Sequence, residues 1–219
     1  VADYSQIELR LLAHLSEDPA FIGAFEKGGD IHRETAAIIF DVPPDRVTPE
    51  MRGRAKTINF ATIYGQGPFA LSRQLGITQE QARDFIRRYF ERFSGVRRYM
   101  DATIERAKKA GYVETLRGRR RYIPELRESP YNIRAFGERT AMNSPLQGSA
   151  ADLIKVAMIG VARALKTEAP VSGMLLQVHD ELIIEAPEPE VAAASLVVRR
   201  EMEAAAQLRG PLGVYGYTK

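Results

Sequence analysis

Carboxylates stand beside apolar segments at two distant places in this 219-residue sequence. Asp3 follows Val-Ala at its start, and Asp180-Glu181 come shortly after the apolar run MLLQV. A carboxylate beside a buried strand costs free energy unless it is paired or bound to a metal. Together, these side chains would offer the oxygen ligands of Mg²⁺, and two such ions ~3.5–4 Å apart support phosphoryl transfer. The alternatives are a polar hairpin turn at Asp180-Glu181 and a helix N-terminal charge at Asp3.

A second candidate set lies on a predicted helix over residues 49–64. Its core face is predicted from a narrow stripe of helical periodicity: Met51, Ala55, Ile58 and Thr62. The opposite face carries two cations and two aromatics at four-residue spacing: Arg52, Lys56, Phe60 and Tyr64. The cations could bind phosphates near the helix start, and the aromatic rings could meet a base and a sugar. Alternatively, another helix covers the two rings.

Polar groups suited to a nucleic acid occur at two further places. Arg139, Asn143 and Gln147 are four residues apart on one predicted helical face, where they can hydrogen-bond phosphates or minor-groove acceptors. The run RGRRR at 117–121 could grip a phosphate backbone. A solvated helical face and a charged turn would produce the same patterns, so both interpretations stay open.

Composition excludes several classes of site. The sequence has no cysteine, which excludes disulfides and thiolate metal sites. No stretch approaches ~18 uninterrupted apolar residues, which excludes a membrane-spanning helix of that kind, and no Ser-His-Asp pattern supports nucleophilic catalysis. The net charge of +3 hides a basic middle, because residues 51–139 carry +11 and the remainder −8. This distribution suits a polyanionic partner or, alternatively, a set of solvated Arg-rich helices.

The elements that position these residues are predicted in the order strand, long helical insertion, hairpin, helix, strand. Val1–Tyr4 is predicted as a strand end and Ser5 as the N-cap of the following helix. Residues 7–40 are predicted to be helical in pieces, broken at Gly28-Gly29. A turn is predicted at Asp41–Arg46, which contains two prolines.

Capping signals define the middle of the chain. Thr48 and Pro49 predict the start of the helix over 49–64, and Gly65 its end. Thr78 opens a capping box for a helix to Phe93. A helix at 96–110, a strand pair at 111–125 and a helix over 131–166 interrupted near Ser144-Pro145 are predicted next. The chain then returns to strands at Met174–His179 and Leu182–Ala186, with Asp180-Glu181 at the hairpin tip. A helix at 188–206 and a last strand within Pro211–Tyr217 complete the prediction.

The sequence resembles DNA polymerase family A, the bacterial polymerase I group, over essentially its whole length. Motifs A, B and C of that family resemble DYSQIELR (3–10), RGRAKTINFATIYG (52–65) and LQVHDELIIEAP (176–187). The connecting segments match as well, at residues 30–36, 115–124 and 138–155. Three motifs in order are far more specific than a single short pattern.

The resemblance implies an α+β fold, in which an antiparallel palm sheet carries a large all-helical fingers insertion. The implied domains are 1–13 (palm, motif A strand), 14–168 (fingers, helical insertion and return helix) and 169–219 (palm, with the motif C hairpin, a helix and the last strand). It also implies a DNA-directed DNA polymerase that uses dNTPs and primer–template DNA, with two Mg²⁺ ions that Mn²⁺ can replace. The implied location is the bacterial cytoplasm, in association with the nucleoid.

The family's functional residues are implied at the matching positions. The catalytic residues are Asp3, Asp180, Glu181 and Lys56, and the metal ligands are Asp3, Asp180 and the main-chain carbonyl of Tyr4. The dNTP-binding residues are Tyr4, Gln6, Glu8, His32, Arg52, Lys56, Phe60 and Tyr64. The DNA-binding residues are Arg10, Arg120, Arg139, Asn143, Gln147, Gln177 and His179. Among these, Glu8 is implied to exclude a ribose 2′-hydroxyl, and Tyr64 to stack near the template base.

The sequence opens VADYSQIELR without an initiator Met, which is typical of an internal segment of a longer protein. The resemblance implies that a thumb, further palm strands and any exonuclease domain would come from an N-terminal portion of that protein. Three other functions were weighed. A single-subunit RNA polymerase shares the metal aspartates, but Glu8 and Phe60 suit deoxyribose. A non-catalytic nucleic-acid-binding module would not need Asp3, Lys56 and Asp180. A reverse transcriptase shares the acidic hairpin but nothing like the helix at 52–65.

Overall fold

The first strand leads directly into short helices in the computed structural model, which describes residues 1–26, 30–210 and 212–216. They are β1 (Ala2–Tyr4), α1 (Ile7–Ser16), α2 (Pro19–Glu26) and α3 (Ile31–Phe40). The predicted N-cap at Ser5 is wrong, because Gln6 precedes α1 with φ 54° and no side chain caps the helix. The Ser5 amide instead donates to the Gly213 carbonyl (2.8 Å), where it ties the chain's start to its last strand. The predicted break at Gly28-Gly29 lies outside the described residues.

The helix that carries the cations and aromatics is α4 (Pro49–Ile63). Its predicted start is confirmed, since the Thr48 hydroxyl accepts from the Met51 amide and Pro49 occupies the first turn. Gly65, at φ +66°, follows its end. The predicted core stripe lies inward, although Met51 is only partly buried. The predicted turn at Asp41–Arg46 is also confirmed, with a short 3₁₀ helix at Pro44–Arg46.

Three further helices and a hairpin follow. They are α5 (Pro68–Leu75), α6 (Gln79–Arg92), α7 (Ser94–Ala110), β2 (Tyr112–Glu114) and β3 (Arg120–Tyr122). The capping box between Thr78 and Gln81 is formed as predicted, and so is the strand pair. The α5 helix was not predicted, and α7 begins two residues earlier than expected.

A single helix of 38 residues, α8 (Tyr131–Glu168), replaces the predicted interrupted segment. The interruption near Ser144-Pro145 is therefore wrong. A proline inside a helix removes one backbone hydrogen bond. Both residues are buried, and the Ser144 hydroxyl donates to the Thr140 carbonyl (2.6 Å). The α8 helix packs against α1, α7 and α9, and this packing favours one continuous helix despite the proline.

The last part of the chain completes an antiparallel sheet with β4 (Gly173–Val178), β5 (Glu181–Glu185) and β6 (Val214–Gly216), and α9 (Val191–Glu203) packs on α8. The strand order is β4-β5-β1-β6. The hairpin turn is His179-Asp180, one residue before the predicted tip, so Glu181 already belongs to β5. The predicted 188–206 helix is shorter, since a 3₁₀ turn at Glu188–Glu190 precedes α9. The predicted α+β class is confirmed as helices with an antiparallel sheet.

The described residues contain no helix long and apolar enough to cross a membrane. The main hydrophobic core joins the sheet to the helices. Its largest fully buried side chains lie on α1, α2 and the α6–α7 junction, among them Leu9, Leu12, Phe21, Tyr89 and Phe93.

Asp18 joins the α1–α2 corner to α7. It is 2% exposed, its Oδ1 accepts from the Ala20 and Phe21 amides, and its Oδ2 accepts from the Gly95 amide (2.7 Å). A Cβ on Gly95 would lie 3.0 Å from the Asp18 Cα, so the two backbones meet too closely for any other residue. One carboxylate therefore both caps α2 and fastens the start of α7.

Asp18→Ala should lower the free energy of unfolding by about 2–3 kcal/mol, because it removes the cap and leaves the buried Gly95 amide unpaired. Asp18→Asn should cost about half as much, since its oxygen retains the α2 cap while its NH₂ faces the Gly95 donor. Urea unfolding monitored by circular dichroism measures both values. Equal losses in the two variants would contradict the divided role of the carboxylate.

Candidate active site

Strand pairing brings the three carboxylates together from opposite ends of the chain. In the β1–β5 register, Asp3 lies opposite Glu181, and the Tyr4 amide donates to the Asp180 carbonyl (3.2 Å). Partial burial, and then the negative charges of Asp180 and Glu181, raise the pKa of Asp3 to about 6. The three carboxylates therefore lie together, and their charges repel one another.

The chemistry of this donor set fits Mg²⁺. Among the described residues, no three His, Cys, Asp or Glu side chains make a closed metal cage. Mg²⁺ rarely uses such cages and is commonly held by one or two carboxylates together with substrate phosphates. The raised pKa of Asp3 marks a place where a cation would relieve carboxylate repulsion. The Tyr4 phenol is buried and donates to the Met202 carbonyl (2.7 Å), so only its main chain is available as a ligand.

The cationic end of α4 meets the start of α3. Arg52 forms an ion pair with Asp30, whose other carboxylate oxygen accepts from the His32 amide (3.0 Å) as the α3 N-cap. Burial alone would raise the pKa of Asp30, but its hydrogen bond and charge pairing with Arg52 lower it overall. His32 is 2% exposed. Burial, with the positive charges of Arg52 and Lys56, lowers the pKa of His32 to about 4 against the opposing effect of Asp30.

The aromatic end of α4 connects these cations to α1. Phe60 lies with its ring centroid 5.9 Å from that of His32 and 6.2 Å from that of Tyr64. The Tyr64 hydroxyl donates to Glu8 Oε2 (2.6 Å) on α1, and burial followed by this contact raises the pKa of Tyr64 to about 12. Neighbouring helices therefore cover Tyr64 in part, while Phe60 remains partly exposed.

The predicted DNA-contacting face of α8 lies against the end of α4. A Cβ on Gly65 would meet Met142 Cε at 2.4 Å and Arg139 Cγ at 3.1 Å, so glycine permits the close approach. Gln147 is exposed and hydrogen-bonds Tyr64, and Asn143 Oδ1 is buried without a partner. Arg139, Asn143 and Gln147 thus share one face, as predicted, beside Tyr64.

The other predicted residues lie outside these contacts. Gln177 Nε2 donates to the His179 carbonyl (2.6 Å) at the hairpin turn, where His179 is exposed with φ 55°. Arg120 bonds Glu114 (2.8 Å) on the β2–β3 hairpin and covers the Tyr112 ring. Arg10 Nε donates to the Ser5 carbonyl (2.7 Å), and its guanidinium lies over the Phe25 ring. Gln6 directly precedes α1.

Two residues that order the site were missed by the sequence analysis. Asp30 holds Arg52, and Asn59 bonds the His32 ring from the buried side of α4. Two features of the sequence could have identified them: Asp30 comes immediately before a predicted helical segment, and Asn59 is an amide on the otherwise apolar face of α4.

Comparison with known proteins gives one consistent family. DNA polymerase I of Bacillus subtilis (strain 168) is 53% identical over 213 residues, which are 97% of this chain and 24% of that protein. DNA polymerase I of Bacillus caldotenax is 51% identical over 220 residues, covering 99% and 25%. The chain therefore spans about a quarter of the length of these curated relatives.

A solved structure is similar throughout. The POL domain of Pol1 from M. smegmatis, in complex with DNA primer-template and dNTP, has a TM-score of 0.95 at 48% identity, over 98% of this chain and 38% of that one. The family model described as DNA polymerase family A matches residues 1–217. On this match and these identities, the chain belongs to DNA polymerase family A.

Proposed function

We propose that this chain forms the nucleotidyl-transfer site of a template-directed DNA polymerase. The observation that carries the proposal is the acidic group at Asp3, Asp180 and Glu181, linked through the Glu8–Tyr64 hydrogen bond to a helix face bearing Arg52 and Lys56. A metal-bound triphosphate needs anionic ligands for its metal ions on one side and cations for its negative phosphate oxygens on the other.

In the reaction, the primer 3′-hydroxyl loses its proton to solvent and its oxygen forms a bond to the α-phosphorus of a dNTP. The bond from that phosphorus to the bridging β-phosphate oxygen breaks, and pyrophosphate leaves. Asp3, Asp180 and the Tyr4 carbonyl would hold two Mg²⁺ ions, which would supply charge stabilisation for the attacking and leaving oxygens. Lys56, Arg52 and His32 bind the triphosphate, and Lys56 donates a proton to the leaving pyrophosphate. Glu181 lies beside the metal ligands. The protein contributes chiefly positioning and electrostatic stabilisation.

Arg52 begins this reaction already paired. Its ion pair with Asp30 holds the guanidinium beside His32, so the incoming phosphates meet a pre-oriented cation rather than a mobile one. Phe60 packs on the sugar and base, Tyr64 lies near the template base, and Glu8 excludes a 2′-hydroxyl. Primer–template DNA is contacted by the α8 face and the hairpins, through Arg139, Asn143, Gln147, Gln177, His179, Arg120 and Arg10. The DNA substrate places the protein with the bacterial nucleoid in the cytoplasm.

The division into palm (1–13 and 169–219) and fingers (14–168) is part of the proposal. The antiparallel sheet and α9 support the first region, and the helices between β1 and β4 support the second. A thumb and further palm strands would come from outside this chain. Its match covers only 25% of the Bacillus caldotenax relative, which leaves room for them.

Primer extension tests the proposal, using this chain joined to the upstream portion of the Bacillus subtilis relative. With Mg²⁺ and a templated duplex it should add the complementary dNTP and disfavour ribonucleotides. Asp180→Ala should reduce extension at least ~10³-fold, because the metal-bound triphosphate loses a ligand. Chelation by EDTA should have the same effect.

Asp101→Ala serves as a control, since that exposed carboxylate pairs with Arg97 within α7, away from the residues assigned to the site. A folded fusion that binds the duplex but extends nothing would support a non-catalytic binding module instead. Equal use of ribonucleotides and deoxynucleotides would favour an RNA polymerase and remove the role given to Glu8.

The acidic group gives a separate prediction for stability. The folded-state pKa of Asp3, about 6, exceeds its ordinary value of 3.8, so the native state binds the proton more tightly and loses stability as pH rises through this window. Asp3→Asn should therefore unfold like the native sequence at pH 4 but be more stable at pH 7 in EDTA. The difference is about 1 kcal/mol once solvent screening of this partly exposed group is allowed for.

Urea unfolding at pH 4 and pH 7, with EDTA or with Mg²⁺, measures this difference. The opposite pH effect of His32 is common to both proteins and cancels. Mg²⁺ should stabilise the native sequence and not Asp3→Asn. An Asp3→Asn advantage that is the same at both pH values would contradict carboxylate repulsion at this site.

A further inference from the structure

Three buried side chains form a hydrogen-bonded row behind the His32 ring. The Thr35 hydroxyl donates to Asn59 Oδ1 (3.1 Å), and Asn59 Nδ2 lies 3.0 Å from His32 Nδ1. Thr35, Asn59 and His32 are 1%, 0% and 2% exposed. The row crosses from α3 to α4 and back, so it depends on the packing of these two helices.

The row has a direction that settles which ring nitrogen carries the proton. An amide can be turned so that either its oxygen or its nitrogen faces a neighbour, so the donors must be assigned from the network. The buried Thr35 hydroxyl makes no other hydrogen bond among the described residues, so it donates to the amide oxygen. The amide nitrogen then faces His32. Because that nitrogen can only donate, Nδ1 must be the acceptor and Nε2 must carry the proton.

We propose that Asn59, oriented by Thr35, is a positioning residue that fixes the neutral Nε2–H tautomer of His32, so that the ring presents a hydrogen-bond donor to the triphosphate of an incoming nucleotide. The inference rests on the proposed function for the identity of the ligand. The opposite tautomer would direct a lone pair at phosphate oxygens and repel them.

The surroundings of the ring support a neutral, donor-bearing imidazole. The charged groups that face it are Asp30 at the start of α3 and Arg52 and Lys56 on α4, while Phe60 covers it from the same helix. Asn59 occupies Nδ1, and Nε2 is not among the fully buried unpaired polar atoms of the described residues, so Nε2 is the ring nitrogen left to meet a ligand. Burial together with the two cations keeps the pKa of His32 at about 4, so the ring is uncharged near neutrality. A neutral Nε2–H hydrogen-bond donor, rather than a positive charge, therefore faces the phosphate oxygens.

The test is the tautomer of His32, read by ¹⁵N nuclear magnetic resonance of the imidazole nitrogens at pH 7.5. The chain has three histidines, so His32 is assigned by comparison with His14→Gln and His179→Gln variants. We expect Nε2 to be protonated and Nδ1 to be unprotonated. A protonated Nδ1 in the native sequence would overturn the proposal, and this result needs no variant of the row to fold.

A matched pair at Thr35 tests the orienting step. Thr35→Ser keeps the hydroxyl and should retain the Nε2–H tautomer, whereas Thr35→Val keeps the shape but frees the amide to turn and should give a mixture. Asn59→Asp replaces the donor that faces Nδ1 with an acceptor, so Nδ1 should become protonated. An unchanged Nε2–H tautomer in both Thr35→Val and Asn59→Asp would contradict the role of the row.

Titration with Mg²⁺-dATP separates this inference from the proposed function. The nucleotide should shift the His32 Nε2 resonance, and Thr35→Val should bind it about fivefold more weakly, the effect of one ordinary hydrogen bond. Thr35→Ser should bind within twofold of the native sequence. A correct tautomer with no nucleotide-induced shift would refute the nucleotide role of His32. A shift without the expected tautomer would refute the row and leave the proposed function standing.

Discussion

The pairing of β1 with β5 is the contact on which the rest of this structure depends. It sets Asp3 opposite Glu181 and beside Asp180, although mutual repulsion of carboxylates opposes their close approach. The backbone hydrogen bonds of a central strand, with the buried Tyr4 phenol bonded to Met202, hold the carboxylates there. The repulsion lowers the stability of the folded chain, and a bound cation would relieve it. Such strained ionisable groups are common at functional sites.

The helices extend this acidic edge into a two-sided site. The α1 helix begins directly after β1 and places Glu8 within hydrogen-bonding distance of Tyr64, so the end of α4 is fastened to the sheet. The start of α4 is fastened to α3 through Arg52 and Asp30. Gly65 lets α4 close against α8, which carries the polar face proposed for DNA. Each end of α4 is therefore held by polar contacts that substrates could exchange.

Local features of the fold followed from the sequence because their causes are local. Thr48 and Thr78 cap their helices with their own side chains, and periodicity alone assigned the buried face of α4. The failures have tertiary causes. Packing of α8 overrode Pro145, and the Ser5 amide bonded Gly213 instead of Ser5 capping α1. Hairpin pairing moved the turn back to His179-Asp180, a register that apolar runs do not specify.

The site was only partly predictable. Four-residue spacing placed Arg52, Lys56, Phe60 and Tyr64 on one face, but spacing cannot bring Asp3 to Asp180; that meeting was an expectation of the family resemblance. Asp30 and Asn59 went unnoticed since their importance comes from the partners they meet across helices, Arg52 and His32. Polar residues inside a helix pair are readable only once the pair is known.

The central claim is that the sheet carboxylates and the α4 cations bind one nucleotide together. A double-mutant cycle of Asp3→Asn and Lys56→Met measures it most directly, with the affinity of Mg²⁺-dNTP for the fusion protein on a dideoxy-terminated primer as the readout. Lys109→Met, at an exposed lysine of α7, is the control for loss of charge alone. If one nucleotide joins the two groups, the losses are not additive, with a coupling of at least ~1 kcal/mol. Additive losses, with a coupling no larger than in the control cycle of Asp3→Asn and Lys109→Met, would show that the two groups act separately. That result would contradict joint binding of one nucleotide.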